Sequence, residues 1–280
     1  MKIHPKDSVS RLALCGALLV AVASSVGQTN AAEPARSAEE RIAKIKVDLK
    51  SEDLAVRQAA IGSLVHSDIS PKMLAEMRTA LDDREGSVRS TAATAIGNLG
   101  KEAIPAIPQL LAGLKSDPFK EARETAARAL GRIGKAAPES QERIIAPLRG
   151  ASHDDADPVT RVVALGALAM IDVELAQQIS SLRKYLHHDE ALVRMKAAHA
   201  LGMIGEPAKA ASPEIVKVLS LETDHHRRGY VARALGLTGD PASLPALQAA
   251  LEKETDPGTQ GEMRGAINRL KAKVSEKEKS

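Results

Sequence analysis

The chain has 280 residues, 44% of them broadly apolar, yet only Phe119, Tyr185 and Tyr230 carry aromatic rings. Ala, Leu, Ile and Val must therefore fill the interior, which excludes a ring-lined pocket and removes the stacking platforms that single-stranded nucleic acid or sugars use. Lys and Arg number 39 against 36 Asp and Glu, too even a balance for the single-sign field that grips a phosphate backbone.

The first segment, residues 1–32, reads as an export signal. Lys2, Lys6 and Arg11 give a positive start, and an unbroken run of apolar and small residues follows from Leu12 to Ala23. That run falls short of the ~20 apolar residues needed to span a bilayer, so no stable membrane anchor is expected after cleavage. Small residues lead to Ala31 and Ala32, the expected cleavage points. Removing the segment takes Lys2, Lys6, Arg11 and Asp7 with it and lowers the net charge from +3 to +1. It also takes Cys15, the one cysteine, so an oxidising compartment is tolerable and no disulfide contributes. The expected location is outside the cytoplasm, in the periplasm or secreted.

Residues 33–270 repeat one pattern seven times. Arg57, Arg89, Arg123, Arg161, Arg194, Arg228 and Gln260 form a column spaced by 32 to 38 residues. Three places on stand Ala60, Ala92, Ala126, Ala164, Ala197, Val231 and Met263, and seven places on stand Leu64, Ile96, Leu130, Leu168, Leu201, Leu235 and Ile267. Offsets of three and seven share one helical face, so each unit presents a narrow apolar stripe edged with alanine. Glycines then fall in pairs, as in Gly97 to Gly100 and Gly202 to Gly205, and are expected to stop or turn the chain. A second helix follows in each unit, with Ser70 and Ser212 as caps ahead of Pro71 and Pro213. Pro108 and Pro147 fall deeper and predict kinks. The unit around Arg161 departs from the pattern, with Ala169 and Asp172 where glycines are expected. No stretch alternates with period two, so the fold class is all-α, a solenoid of about seven helix pairs. Residues 271–280 form a mixed Lys/Glu tail.

The stretch from Asp83 to Gly97, and again from Asp189 to Gly202, resembles the HEAT-like repeat first associated with phycobilisome bilin lyases. The resemblance implies that Arg57, Arg89, Arg123, Arg161, Arg194 and Arg228 are structural. In such arrays they cross-link neighbouring loops as a ladder with the aspartates that precede them by six places, Asp83, Asp117 and Asp155. It identifies a fold and leaves the activity open, because this repeat serves many unrelated roles.

Histidines offer the one route to catalysis. His153, His187, His188, His225 and His226 lie just ahead of the column arginines in three consecutive units, beside Asp154, Asp155, Asp189, Glu190 and Asp224. His with carboxylate suits zinc or iron, but neighbouring helices lie ~8–10 Å apart, whereas a metal needs its ligands at ~2 Å. Deoxyhypusine hydroxylase, built from similar repeats, binds iron through His-Glu dipeptides, and this chain contains none. The expectation is therefore an exported scaffold that binds a protein or peptide through an extended helical surface, with no catalytic residues, cofactor or nucleic-acid partner. The alternative is a metal-dependent hydroxylase or oxidoreductase, or a bilin-lyase-like enzyme, using those loop histidines.

Overall fold

A computed structural model of the chain describes residues 37–277. The expected signal segment 1–32, with Cys15 and the cleavage points Ala31 and Ala32, lies outside the described residues. Fourteen helices and five short 3-10 turns make up the rest, and no β-strand occurs among the described residues. The array is an all-α solenoid. The chain divides into two units, residues 1–41 and 42–280, and the helix pairs lie in the second.

Helix α1 (Ala38–Asp48) comes first along the described residues, and six helix pairs follow it in sequence. The first helix of each pair carries the column arginine: α2 (Leu54–Ser63), α4 (Gly86–Asn98), α6 (Lys120–Ala136), α8 (Pro158–Met170), α10 (Ala191–Ile204) and α12 (His225–Thr238). Their second helices are α3 (Leu74–Ala80), α5 (Ile107–Ser116), α7 (Gln141–Asp154), α9 (Leu175–Tyr185), α11 (Ser212–Leu221) and α13 (Leu244–Lys253). The last helix, α14 (Pro257–Lys277), carries Gln260 and occupies the first-helix place of a seventh unit. It extends through the segment expected as a tail, as far as Lys277.

The apolar stripe explains why the helices stack. Every member of the offset-three and offset-seven columns is buried, from Ala60 and Leu64 to Met263 and Ile267. Burying each leucine or isoleucine contributes roughly 1.5–3 kcal/mol, repeated unit by unit as in any quasi-linear array. Successive arginine helices pack directly on one another, from α2 on α4 through α12 on α14.

Glycines set how close that packing is. Gly97, Gly131, Gly202 and Gly236 do not stop their helices; they lie within them and face the next arginine helix. A Cβ at Gly202 would sit 2.7 Å from the Ala234 Cα, and one at Gly236 2.7 Å from the Ala266 Cα. The stopping role falls to the second glycine of three pairs, because Gly100, Gly205 and Gly239 adopt φ of +58°, +80° and +71°, whereas Gly134 lies buried inside α6, which runs on to Ala136.

Prolines and serines differ from expectation for a common reason. The chain first makes a 3-10 turn at Ser70–Met73, Gly100–Ala106 and Glu206–Ala211, so the α-helices begin later. Pro108 consequently lies in the first turn of α5, where its missing N–H costs nothing, and of the two expected kinks only Pro147 lies inside its α-helix. Ser70 and Ser212 do not cap. Both are buried, Ser70 donating to the Leu64 carbonyl and Ser212 hydrogen-bonding Thr238.

Candidate functional site

Two lines of residues cross successive helices of the array, and they do different things. The first lies in the loops ahead of the arginine helices. Arg57 forks onto Asp83 through Nε and Nη2 at 2.8 and 3.1 Å, and its Nη1 donates to the Ser51 and Glu52 carbonyls. Arg89 repeats this on Asp117 at 2.7 and 2.6 Å, and Arg123 on Asp155 at 2.8 and 2.9 Å. Each aspartate also accepts from a backbone N–H two residues on, at Glu85, Phe119 and Asp157. Burial alone would raise these three carboxyls; the arginine fork and the backbone donor outweigh it, and all three lie below the usual aspartate value.

The line changes at the irregular unit. Where the pattern would place an acid six residues before Arg194, the chain has His188, and Arg161 Nε donates instead to the Tyr185 hydroxyl at 3.1 Å. Arg194 keeps only its carbonyl bonds to His188 and Asp189, and its Nε is buried without a partner. Glu222 holds the corresponding acidic place in the next loop, but Arg227 takes it at 3.0 Å. Pairing resumes with Arg228 on Glu254 at 2.7 Å, which, aided by the Asp256 and Thr255 N–H groups, holds that carboxyl down at about 2.

None of the loop histidines is gathered into a ligand set. His188 Nδ1 accepts from the Glu190 N–H at 3.1 Å and its ring stacks near Tyr185. His225 sits 3.5 Å from Asp256 and against the His226 ring, while His153 and His187 are exposed. Among the described residues no three His, Cys, Asp or Glu side chains are placed to hold a metal ion. The helix spacing that separates neighbouring units keeps these side chains apart.

The second line lies on the outward face of the arginine helices, at positions five, nine and twelve after the column. On α6 these are Arg128, Arg132 and Lys135; on α8, Gly166 and Met170; on α10, His199 and Met203. Together with Val163, Lys196 and Ile204 they line a groove of about 220 Å³ across α6, α8 and α10. The irregular unit explains why it opens here. The offset-eight position that is Gly131 on α6 and Gly202 on α10 is Ala169 on α8, so the α8–α10 seam lacks the glycine notch its neighbours use. Gly166 forms the floor instead, its missing Cβ 3.3 Å from that of Ala200. At the end of α8, Asp172 and Glu174 take φ of +60° and +48° where glycine is the usual occupant, which re-aims the chain into α9.

Charge in the groove is one-sided. Glu124 pairs with both Arg128 and Lys196, yet it is one carboxylate against four cations. Arg132 hydrogen-bonds the neutral Asn98 amide, and its burial, with Arg128 close by, pulls its pKa below the usual arginine value. His199 is held at about 4 by burial first and then by Arg128, Lys196 and Arg233, so its ring is neutral near pH 7. Tyr230 meets it edge-on at 5.9 Å, and its Nδ1 is buried without a partner. Such a surface attracts carboxylates and tolerates aliphatic groups beside them. Sequence reading overlooked it because the cations are scattered by one helical turn each, and the signal was the offset-five and offset-nine columns read across units. Open troughs also lie between second helices, for example over Leu114, Pro147 and Ala151, without a comparable excess of one charge.

A HEAT repeat model matches residues 42–131, 107–178 and 145–212, and a phycobilisome lyase HEAT-like repeat model matches residues 227–253. The comparison with curated proteins gave no match. Among solved structures, the chain is similar to the complex of CpcE and CpcF of phycocyanin lyase from Nostoc sp. PCC7120, at 22% identity and a TM-score of 0.49, with 87% of this chain and 98% of that one covered. It is also similar to human deoxyhypusine hydroxylase in complex with glycerol, at 22% identity and a TM-score of 0.38, covering 84% and 97%.

Proposed function

For a chain that belongs to the HEAT-repeat family, with 14 helices stacked through arginine helices and an open groove on their outer face, we propose the role of an exported, non-catalytic scaffold that binds a protein or peptide partner. The groove across α6, α8 and α10 carries this reading: a cationic, aliphatic-floored depression placed where the repeat pattern is broken. The arginine line in the loops would serve the array itself. Its forked bonds join consecutive loops, and a rigid stack of this kind presents a surface without needing to close around a ligand. Export rests on the positive start and short apolar run of residues 1–32.

Crosslinking in an intact cell envelope, followed by mass spectrometry and metal assay of the same purified sample, tests the proposal. A dominant protein partner supports the scaffold. Stoichiometric iron or zinc without a partner would replace it with metal chemistry at the loop histidines, and recovery of the unprocessed chain from the cytoplasm would remove export.

A further inference from the structure

Resting on the scaffold reading, we infer that the α6–α8–α10 groove binds an acidic segment of its partner: an extended peptide in which carboxylates adjoin a short aliphatic stretch. Three observations carry this. Cations line it, Arg128, Arg132 and Lys135 on α6 and Lys196, whose ammonium reaches from α10 to the Glu124 carboxylate that Arg128 also binds, with Arg233 on α12 near His199. Between them the floor is aliphatic and lacks bulk at Gly166, with Val163 and Met170 beside it. The charge is also out of keeping with the rest of the molecule. The whole chain has net charge +3, and the loop arginines Arg57, Arg89, Arg123 and Arg228 each have a carboxylate. In the groove, Glu124 is shared by Arg128 and Lys196, while Arg132 faces an amide and Lys135 is exposed.

Dimensions narrow the occupant further. From α6 to α10 is two helix spacings, ~16–20 Å at the usual separation. An extended chain rises ~3.4 Å per residue, so five or six residues cross the groove. An acidic pair would meet Arg132 and Lys135, the α6 cations that Glu124 does not hold, while the small aliphatic side chains beside it lie over Gly166. Guanidinium groups favour such planar carboxylates through two parallel hydrogen bonds. His199, neutral near pH 7, can donate or accept a hydrogen bond without adding to the repulsion.

The test is fluorescence anisotropy with the full-length chain and a labelled eight-residue peptide. The peptide has two aspartates at each end and four valines and alanines between them. Replacing the aspartates by asparagine should weaken binding at least ~10-fold, and so should the double variant R132E/K135E. A tenfold loss is about 1.4 kcal/mol. Lys72→Glu, an exposed charge change outside the groove, should leave affinity unchanged. Thermal melts establish that the variants fold; if R132E/K135E does not, the aspartate-to-asparagine comparison on the unmodified chain decides alone. Equal binding of both peptides overturns the inference. So does a polyphosphate of equal charge that binds more tightly with the same dependence on Arg132, since the surface would then be reading phosphate. A partner crosslinked in the envelope through another face, with no binding of the acidic peptide, would sink this inference and leave the scaffold reading standing. The absence of any partner would sink both.

Discussion

Replacing Gly202 by alanine should destabilise the array, although alanine is the better helix former. A Cβ there would lie 2.7 Å from the Ala234 Cα, 2.9 Å from its Cβ and 3.2 Å from its carbonyl oxygen. Ordinary carbon contacts are 3.5–4.0 Å, so α10 and α12 must part by roughly 1 Å. The obstructing atoms are chiefly backbone and cannot turn aside as a flexible side chain would. Overpacking of this kind costs about 1–3 kcal/mol, and the backbone contact puts Gly202 toward the upper end. Relief of the glycine penalty in a helix returns about 1 kcal/mol. A net loss of about 1–2 kcal/mol follows. Gly150, inside α7 with nothing within 4 Å of its missing Cβ, is the control, and Gly150→Ala should gain up to about 1 kcal/mol. Urea denaturation followed by circular dichroism measures both. If Gly202→Ala proves as stable as Gly150→Ala, the glycine columns do not set the helix spacing, and the explanation of the groove through Ala169 fails with them.

Arg89 and Arg161 both donate to loop carbonyls, but Arg89→Ala also leaves the Asp117 carboxylate without its fork and should cost about 3 kcal/mol, whereas Arg161→Ala also strands only a phenol hydroxyl and should cost about 1–2 kcal/mol. Equal urea midpoints for the two would contradict the pairing. In acid, carboxylates held below their ordinary values stabilise the fold fully above pH ~4.5 and lose that contribution as the pH falls toward 2, and Glu254→Gln should flatten the lowest part of the profile. His199 acts in a higher window: between pH ~6.5 and 4 the unfolded chain takes up a proton that the folded ring refuses, so stability falls as the pH drops. That loss is at most about 3 kcal/mol, and His199→Asn should abolish this part of the dependence in urea titrations at several pH values. An acidic peptide in the groove should raise the His199 pKa, as read by nuclear magnetic resonance, because new carboxylates offset Arg128 and Lys196.

The helix pairs were legible because a buried helical stripe at offsets of three and seven recurs every 32 to 38 residues, from Ala60 and Leu64 to Met263 and Ile267, which is the pattern of a stacked helical repeat. The irregularity of the Arg161 unit was also legible, in Ala169 and Asp172. What it does was not, because the consequence of one missing glycine appears only when α8 is laid beside α10. Glycines expected to end helices instead bring them together, a distinction that depends on which face each occupies. Pro108 and the buried serines were misplaced because 3-10 turns delay the second helices, and local sequence does not separate a 3-10 turn from a first α turn. The groove escaped notice for a related reason. Arg128, Arg132 and Lys196 are unremarkable one helix at a time, and their alignment arises from the spacing between units.

The most direct test of the scaffold is to place a photoreactive side chain at Met203, which is 56% exposed on the rim of the groove, and to irradiate intact cells. A crosslink to one protein partner, through a segment in which acidic residues flank aliphatic ones, is the expected result. A crosslink that never forms at Met203 while one forms readily from the second helices would place the binding surface elsewhere and contradict the account.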